Sequence, residues 1–214
     1  MIEAIIWDFG GVITTSPFEA FNHYETENGV PLNFIRMINS TNPDSNAWAQ
    51  FESNQISLDE FDTLFSVESK AAGCEVSGKD VIGLLYGEVR PRMIEVLKQC
   101  KQHYKVACIT NNVAPQGRRV AQMPDSARAS RVAEALALFD LVVESSIEGI
   151  RKPDPRIYTN TCERLGVAPE NAVFLDDLGI NLKPARALGM QTIKVVRETQ
   201  AISDLATITG LEFK

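Results

Sequence analysis

The stretch Ala4-Ile5-Ile6-Trp7-Asp8-Phe9-Gly10-Gly11 sets four apolar residues against a carboxylate and two glycines. A short unbroken apolar run is what a strand buried on both faces looks like. The pattern recurs along the chain. Val106-Ala107-Cys108-Ile109 closes on Thr110-Asn111-Asn112, and Ala172-Val173-Phe174-Leu175 closes on Asp176-Asp177. Leu141-Val142-Val143 and Thr192-Ile193-Lys194-Val195-Val196 are two further runs. Helix-length segments lie between the later runs at 91–103, 125–138, 155–165 and 182–188, with Gly166 and Gly189 placed to end the last two. Strand alternating with helix predicts an α/β fold, a doubly wound Rossmann-like parallel sheet with helices on both faces. Ligands of such sheets bind beyond the carboxyl ends of the strands, so the residues after each run are the candidates for chemistry.

The alternation is interrupted between the first run and the second, by more chain than one crossover needs. Residues 15–90 therefore read as a helical cap inserted after the first strand, and residues 1–14 with 91–214 as the core. Ser16-Pro17-Phe18-Glu19 and Ser57-Leu58-Asp59-Glu60 both have the S-x-x-E pattern of a helix start, the first with Pro at the opening helical position. Trp48, Phe51, Phe61 and Phe65 are spaced to line helix faces, which predicts packing rather than ligand binding. Arg118, Arg119, Arg128 and Arg131 read as a solvated face.

Composition narrows the function. With 44% apolar and 23% charged residues the chain is of ordinary globular make-up, and 21 Lys+Arg against 28 Asp+Glu give a net charge of −7. That sign disfavours nucleic acid as a partner. No run approaches the ~18 apolar residues of a membrane span, and no basic segment precedes the first strand, so the expected location is cytoplasmic. Cys74, Cys100, Cys108 and Cys162 form no C-x-x-C pair, and His23 and His103 are the two histidines. Neither a disulfide framework nor a thiolate zinc site is predicted, and a bound metal would be a hard cation such as Mg²⁺ held by carboxylates.

Four strand ends carry the chemistry. Asp8 is open, taken alone, to reading as a turn starter or as a carboxylate placed over the sheet. Thr110 and Asn111 offer a hydroxyl and an amide suited to an anion. Arg151-Lys152-Pro153-Asp154-Pro155 places an ammonium on a stretch stiffened by two prolines. Asp176-Asp177 sets adjacent carboxylates at the end of an apolar strand, costly unless a cation compensates them.

At these residues, in this order, the chain resembles the haloacid dehalogenase superfamily, from about Ile5 to Val196. Its likeness is to the branch with a helical cap after the first strand, which includes sugar-phosphate phosphatases and the phosphatase-type domain of soluble epoxide hydrolases. Epoxide opening itself is not implied. The resemblance implies that Asp8 is the nucleophile, that Thr110 binds the transferring phosphoryl group, and that Lys152 neutralises both nucleophile and phosphate. It also implies Mg²⁺ held by Asp8, the backbone carbonyl of Gly10 and Asp177, with Asp176 and Asn181 supporting the metal shell. Donors from Thr110, Asn111 and the backbone near Gly10 would stabilise the equatorial oxygens. The expected activity is a Mg²⁺-dependent phosphomonoester hydrolase acting on a small phosphorylated metabolite, sugar phosphates among them. One position departs from the pattern: Gly10 stands where many of these phosphatases have an acidic general acid. Glu19, His23 or Glu25 from the cap could replace it, or the substrate could need less help in leaving, or the site could only bind a phosphorylated ligand. A metal-independent dehalogenase, with the same Asp attacking carbon, is the runner-up enzyme.

Overall fold

The computed structural model describes residues 1–85, 87–112 and 126–213. Among these, β1 (Ala4–Trp7), β2 (Lys105–Thr110), β3 (Leu141–Glu144), β4 (Ala172–Asp176) and β5 (Gln191–Lys194) form one sheet. The strand order is β3-β2-β1-β4-β5, and every neighbouring pair is parallel. The predicted doubly wound α/β fold is therefore present. The helices are α1 (Pro17–Glu27), α2 (Phe34–Ser40), α3 (Ala47–Glu52), α4 (Leu58–Ala71), α5 (Gly78–Gly83), α6 (Pro91–Lys101), α7 (Ser126–Leu136), α8 (Ser145–Glu148), α9 (Pro155–Leu165), α10 (Gly179–Ala187) and α11 (Glu198–Thr209).

Parallel strands need both faces covered, and the side chains of β1 show how this is met. Ile5 and Trp7 pack on one face with Val96, Leu97, Val132 and Leu205, while Ala4 and Ile6 pack on the other with Ile157, Tyr158 and Leu182. Alternate residues point to opposite faces, so a run with no polar member fills both at once. Each fully buried Ile, Leu, Val or Phe contributes about 1.5–3 kcal/mol. The chain runs outward from β1 through β2 to β3, then crosses to the other side of β1 for β4 and β5. The reversal lies between β1 and β4, the place where such sheets open a crevice at their carboxyl ends.

Several boundaries differ from the sequence expectation. The segment expected at 182–188 starts at Gly179, and β5 runs from Gln191 to Lys194 rather than to Val196. Helices α8 and α11 were not anticipated. Gly166 does end α9, at φ +64°. The start of the segment expected at 125–138, together with Arg118 and Arg119, lies outside the described residues. Arg128 and Arg131 both form ion pairs with Glu88, so they hold a carboxylate as well as facing solvent.

The chain divides into Met1–Thr15 with Glu88–Lys214, and Ser16–Gly87. The second unit is helical and has its own core: Phe61 stacks on Phe51 at 4.6 Å between ring centres and is flanked by Trp48 and Phe65. Gly78 allows the approach of α5 to α4, because a Cβ there would lie 2.8 Å from the Asp62 backbone. The Ser57–Glu60 capping box forms in both directions. At Ser16 the hydroxyl accepts from the Phe18 N–H. Among the described residues, no helix is long and apolar enough to cross a membrane.

Candidate active site

Parallel register delivers the site. Trp7 pairs with Cys108 on one side and Leu175 on the other, and the Asp8 N–H donates to the Leu175 carbonyl at 2.8 Å. Asp8 is thereby placed one residue past the central strand, beside Asp176 at the end of β4. Lys152 arrives from the segment before α9 and is 1% exposed. Its ammonium lies 2.8 Å from Asp8 Oδ1 and 2.8 Å from Asp176 Oδ2. Oxygens of Asp8, Asp176 and Asp177 all lie within 4.8 Å of one another.

Asp176 is fully buried and held on both oxygens. Its carboxylate accepts from the Leu178 N–H at 2.8 Å, from Asn181 Nδ2 at 3.1 Å on each oxygen, and from Lys152. Asn181 is held in turn through its carbonyl, which accepts from the Tyr158 hydroxyl at 2.7 Å. A continuous buried network thus runs from α9 through α10 to the ammonium. Such networks are rigid when every member is satisfied.

Burial pushes the Asp8 carboxyl well above the ordinary carboxylate range; Lys152 opposes this, and the charges of Asp176 and Asp177 add to it. Burial alone would lower Lys152, but the carboxylates of Asp176 and Asp8 outweigh it and hold the ammonium above its ordinary range. Lys152 is therefore charged at neutral pH. Lys152→Met keeps most of the side-chain volume while leaving two buried carboxylates without their ammonium. Losing one partner of a buried pair costs about 3–5 kcal/mol, so its urea midpoint in EDTA should fall accordingly. A loss below about 1 kcal/mol would show that the carboxylates do not depend on Lys152.

Thr110 is buried at the end of β2, and its hydroxyl makes a long 3.5 Å contact with the Asn111 carbonyl. Asn111 uses one N–H and its oxygen on the lysine, and its second Nδ2 proton remains as a donor. Its Nδ2 donates to the Lys152 carbonyl at 2.9 Å and its Oδ1 accepts from the Lys152 N–H at 2.9 Å, so it clamps the lysine backbone. Asn112 binds the Ser145 and Glu144 side chains.

Gly10 and Gly11 differ in kind. Gly11 has φ +77°, and a Cβ there would lie 2.6 Å from Asp177 Cγ, so only glycine lets the loop backbone rest against that carboxylate. The paired glycines stand out in the sequence, but nothing there separates Gly11 from Gly10. Gly10 has φ −69° and ψ 131°, which any residue adopts, and nothing lies within 4 Å of where its Cβ would be. The three proposed substitutes for its missing acid fare unequally. Glu25 is fully buried, and its carboxylate accepts from the Asn33 N–H at 2.6 Å and the Ile35 N–H at 2.8 Å, which fixes the start of α2. Its role is structural, not that of a mobile acid. His23 is exposed and pairs with Glu27, and Glu19 is exposed in the first turn of α1.

A haloacid dehalogenase-like hydrolase family model matches residues 2–189. The chain belongs to that family. This hydrolase is 34% identical over 213 residues to mouse acyl-CoA dehydrogenase family member 10, covering 97% of the chain and 19% of that protein. It is 27% identical to mouse bifunctional epoxide hydrolase 2, covering 99% of the chain and 40% of the relative. The hydrolase thus spans well under half the length of these two relatives. Against the sesquiterpene phosphatase astK of Aspergillus oryzae it is 25% identical, with 97% of each chain covered. A solved family enzyme from Bacteroides thetaiotaomicron, in complex with magnesium and inorganic phosphate, shares the fold at TM-score 0.61 and 22% identity, covering 90% of this chain and 93% of that one.

Proposed function

We propose that this hydrolase is a Mg²⁺-dependent phosphomonoester hydrolase that forms an aspartyl-phosphate on Asp8 and acts on a small phosphorylated metabolite. The observation that carries the reading is the cluster itself: three carboxylates whose oxygens lie within 4.8 Å, with a buried ammonium bridging two of them at 2.8 Å. The donor set is all oxygen, which suits a hard divalent cation. Asp8, Asp177 and the Gly10 carbonyl would hold it, while Asp176 is occupied by Lys152, Asn181 and the Leu178 N–H and steadies the group. When bound, the cation supplies positive charge that offsets repulsion between a carboxylate nucleophile and a phosphate dianion.

In this reading an Asp8 oxygen attacks phosphorus as the bond to the leaving oxygen breaks. Lys152 balances the charge of the nucleophile, and the Thr110 hydroxyl donates to an equatorial oxygen. Asn111 fixes the backbone of Lys152 and offers its second Nδ2 proton to the phosphoryl group. Water then cleaves the acyl-phosphate, releasing inorganic phosphate and restoring Asp8. The inserted unit Ser16–Gly87 is proposed to select the substrate. The relative named a phosphatase and the related enzyme carrying magnesium and phosphate support the reading. Attack on a carbon–halogen bond needs no cation and gives no reason for a third carboxylate.

The test is aryl-phosphate hydrolysis in Mg²⁺ and in EDTA; equal rates in the two would overturn the reading. Binding is read separately by thermal unfolding. At 100 times its Kd a ligand adds about 2.7 kcal/mol, roughly 5–10 °C for a chain of this size. Asp177→Ala should erase that rise, and a rise that survives in the variant would place the ion elsewhere.

A further inference from the structure

The loop that carries Gly10 and Gly11 is bonded by one residue well beyond it in sequence. Arg90 is half-buried and directly precedes α6, whose Met93, Val96, Leu97 and Cys100 are fixed in the core. Its backbone N–H donates to the Ile13 carbonyl at 2.9 Å. Its guanidinium donates from Nε to the Thr14 carbonyl at 3.0 Å and from Nη2 to the Gly11 carbonyl at 3.5 Å. Three carbonyls of the segment leaving β1 are thus gathered by a single residue anchored on a core helix. Beside it, Thr15 and Glu88 exchange two bonds, Thr15 N–H to the Glu88 carbonyl at 2.8 Å and Glu88 N–H to Thr15 Oγ1 at 3.0 Å.

Gly11 is the residue whose Cα rests against the Asp177 carboxylate, with no room for a Cβ between them. A displacement of the Gly11 peptide therefore reaches Asp177 directly, and it moves the neighbouring Gly10 carbonyl with it. We propose that Arg90 is a positioning residue that sets the Gly10–Gly11 backbone against Asp177, so that Asp8, Asp177 and the Gly10 carbonyl present one cation-binding face. This rests on the magnesium-phosphatase reading above. The guanidinium suits the task because its donors sit in a rigid fork that reaches two carbonyls at once, whereas a lysine brings one point charge on a flexible stem.

Arg90→Lys keeps the charge and the backbone bond to Ile13 while losing the fork, and Arg90→Gln keeps a planar donor without the charge. The full chain is titrated with Mg²⁺ alone and followed by its melting temperature, then assayed with an aryl phosphate across the same Mg²⁺ range. Partners that orient metal ligands typically change metal affinity 10–100-fold when lost. Both variants should need about 10–100-fold more Mg²⁺ for half of the wild-type shift, melt near wild type in EDTA, and recover kcat at saturating Mg²⁺ with KM little changed. If either variant melts lower in EDTA yet titrates at wild-type Mg²⁺, Arg90 is a structural residue and the proposal is overturned. A wild-type chain whose melting temperature ignores Mg²⁺ overturns the magnesium reading and the proposal together. A wild type that responds alongside variants that respond identically overturns the proposal alone.

Discussion

Asp8→Asn is expected to abolish turnover while leaving the fold in place. The substitution preserves the side-chain shape and keeps an oxygen that can accept from the Phe9 N–H, now 2.7 Å from Oδ1, and from Lys152. Lys152 also retains Asp176 at 2.8 Å, so the ammonium is not stranded. On the proposed reading the nucleophile is lost, because an amide oxygen is a poor attacking group and the acyl-phosphate would have no carboxylate on which to form. Removing the nucleophile of a catalytic unit costs on the order of 10⁴–10⁶-fold in kcat. Burial already disfavours the charge on Asp8, so taking it away should not lower the melting temperature in EDTA. Aryl-phosphate turnover and thermal unfolding of the same preparation check both halves. A folded Asp8→Asn protein that keeps a tenth of wild-type activity would show that the nucleophile is another group.

The parts of this design that could be read from sequence are those written in local pattern. Ala4–Trp7 has no polar member because both of its faces are covered, and that reads directly as a central strand. Asp8, Thr110 and Asp176 were locatable because a parallel sheet brings successive strand ends to one edge whatever the intervening chain does, whereas Lys152 lies beyond β3 and a short helix and was marked by its charge on a proline-stiffened stretch. What pattern could not reveal is which groups engage which. Asn111 and Thr110 look equally suited to an anion in sequence, and nothing there reveals that the Asn111 amide also clamps the Lys152 backbone, 41 residues away. Glu25 looks like an exposed helix acid, but it faces the start of α2 and is fully enclosed. Arg90 carried no signal, because its partners are backbone carbonyls 76 and 79 residues earlier, and a carbonyl has no sequence identity. Helix α11 did carry a signal, in the spacing of Ala201, Ile202 and Leu205, but it follows the last strand and no crossover required it.

Gly10→Asp is expected to raise activity on substrates whose leaving group is a poor one. With glycine two residues after Asp8, no side chain at that position can protonate the departing oxygen. The rate of wild-type hydrolysis should then fall steeply as leaving-group pKa rises, favouring aryl, acyl and anomeric phosphates over primary alkyl phosphates. Glu25 cannot relieve this while its carboxylate is bound at the start of α2. A positioned acid contributes about 10²–10⁴-fold, and most of it should appear on alkyl substrates, since aryl oxides leave without a proton. Space is not the obstacle, because Gly10 has an ordinary backbone conformation and nothing stands within 4 Å of the added Cβ. Gly11, by contrast, would drive a Cβ into Asp177, so the same substitution one residue later should destroy the site. The Mg²⁺-induced melting shift of Gly10→Asp, compared with wild type, separates a gain in proton transfer from a change in metal binding. With that shift preserved, kcat/KM is measured across leaving groups in both proteins. A flattened dependence in the variant is the expected result, and a wild type already indifferent to leaving-group pKa would show that a proton donor is supplied from elsewhere in the chain.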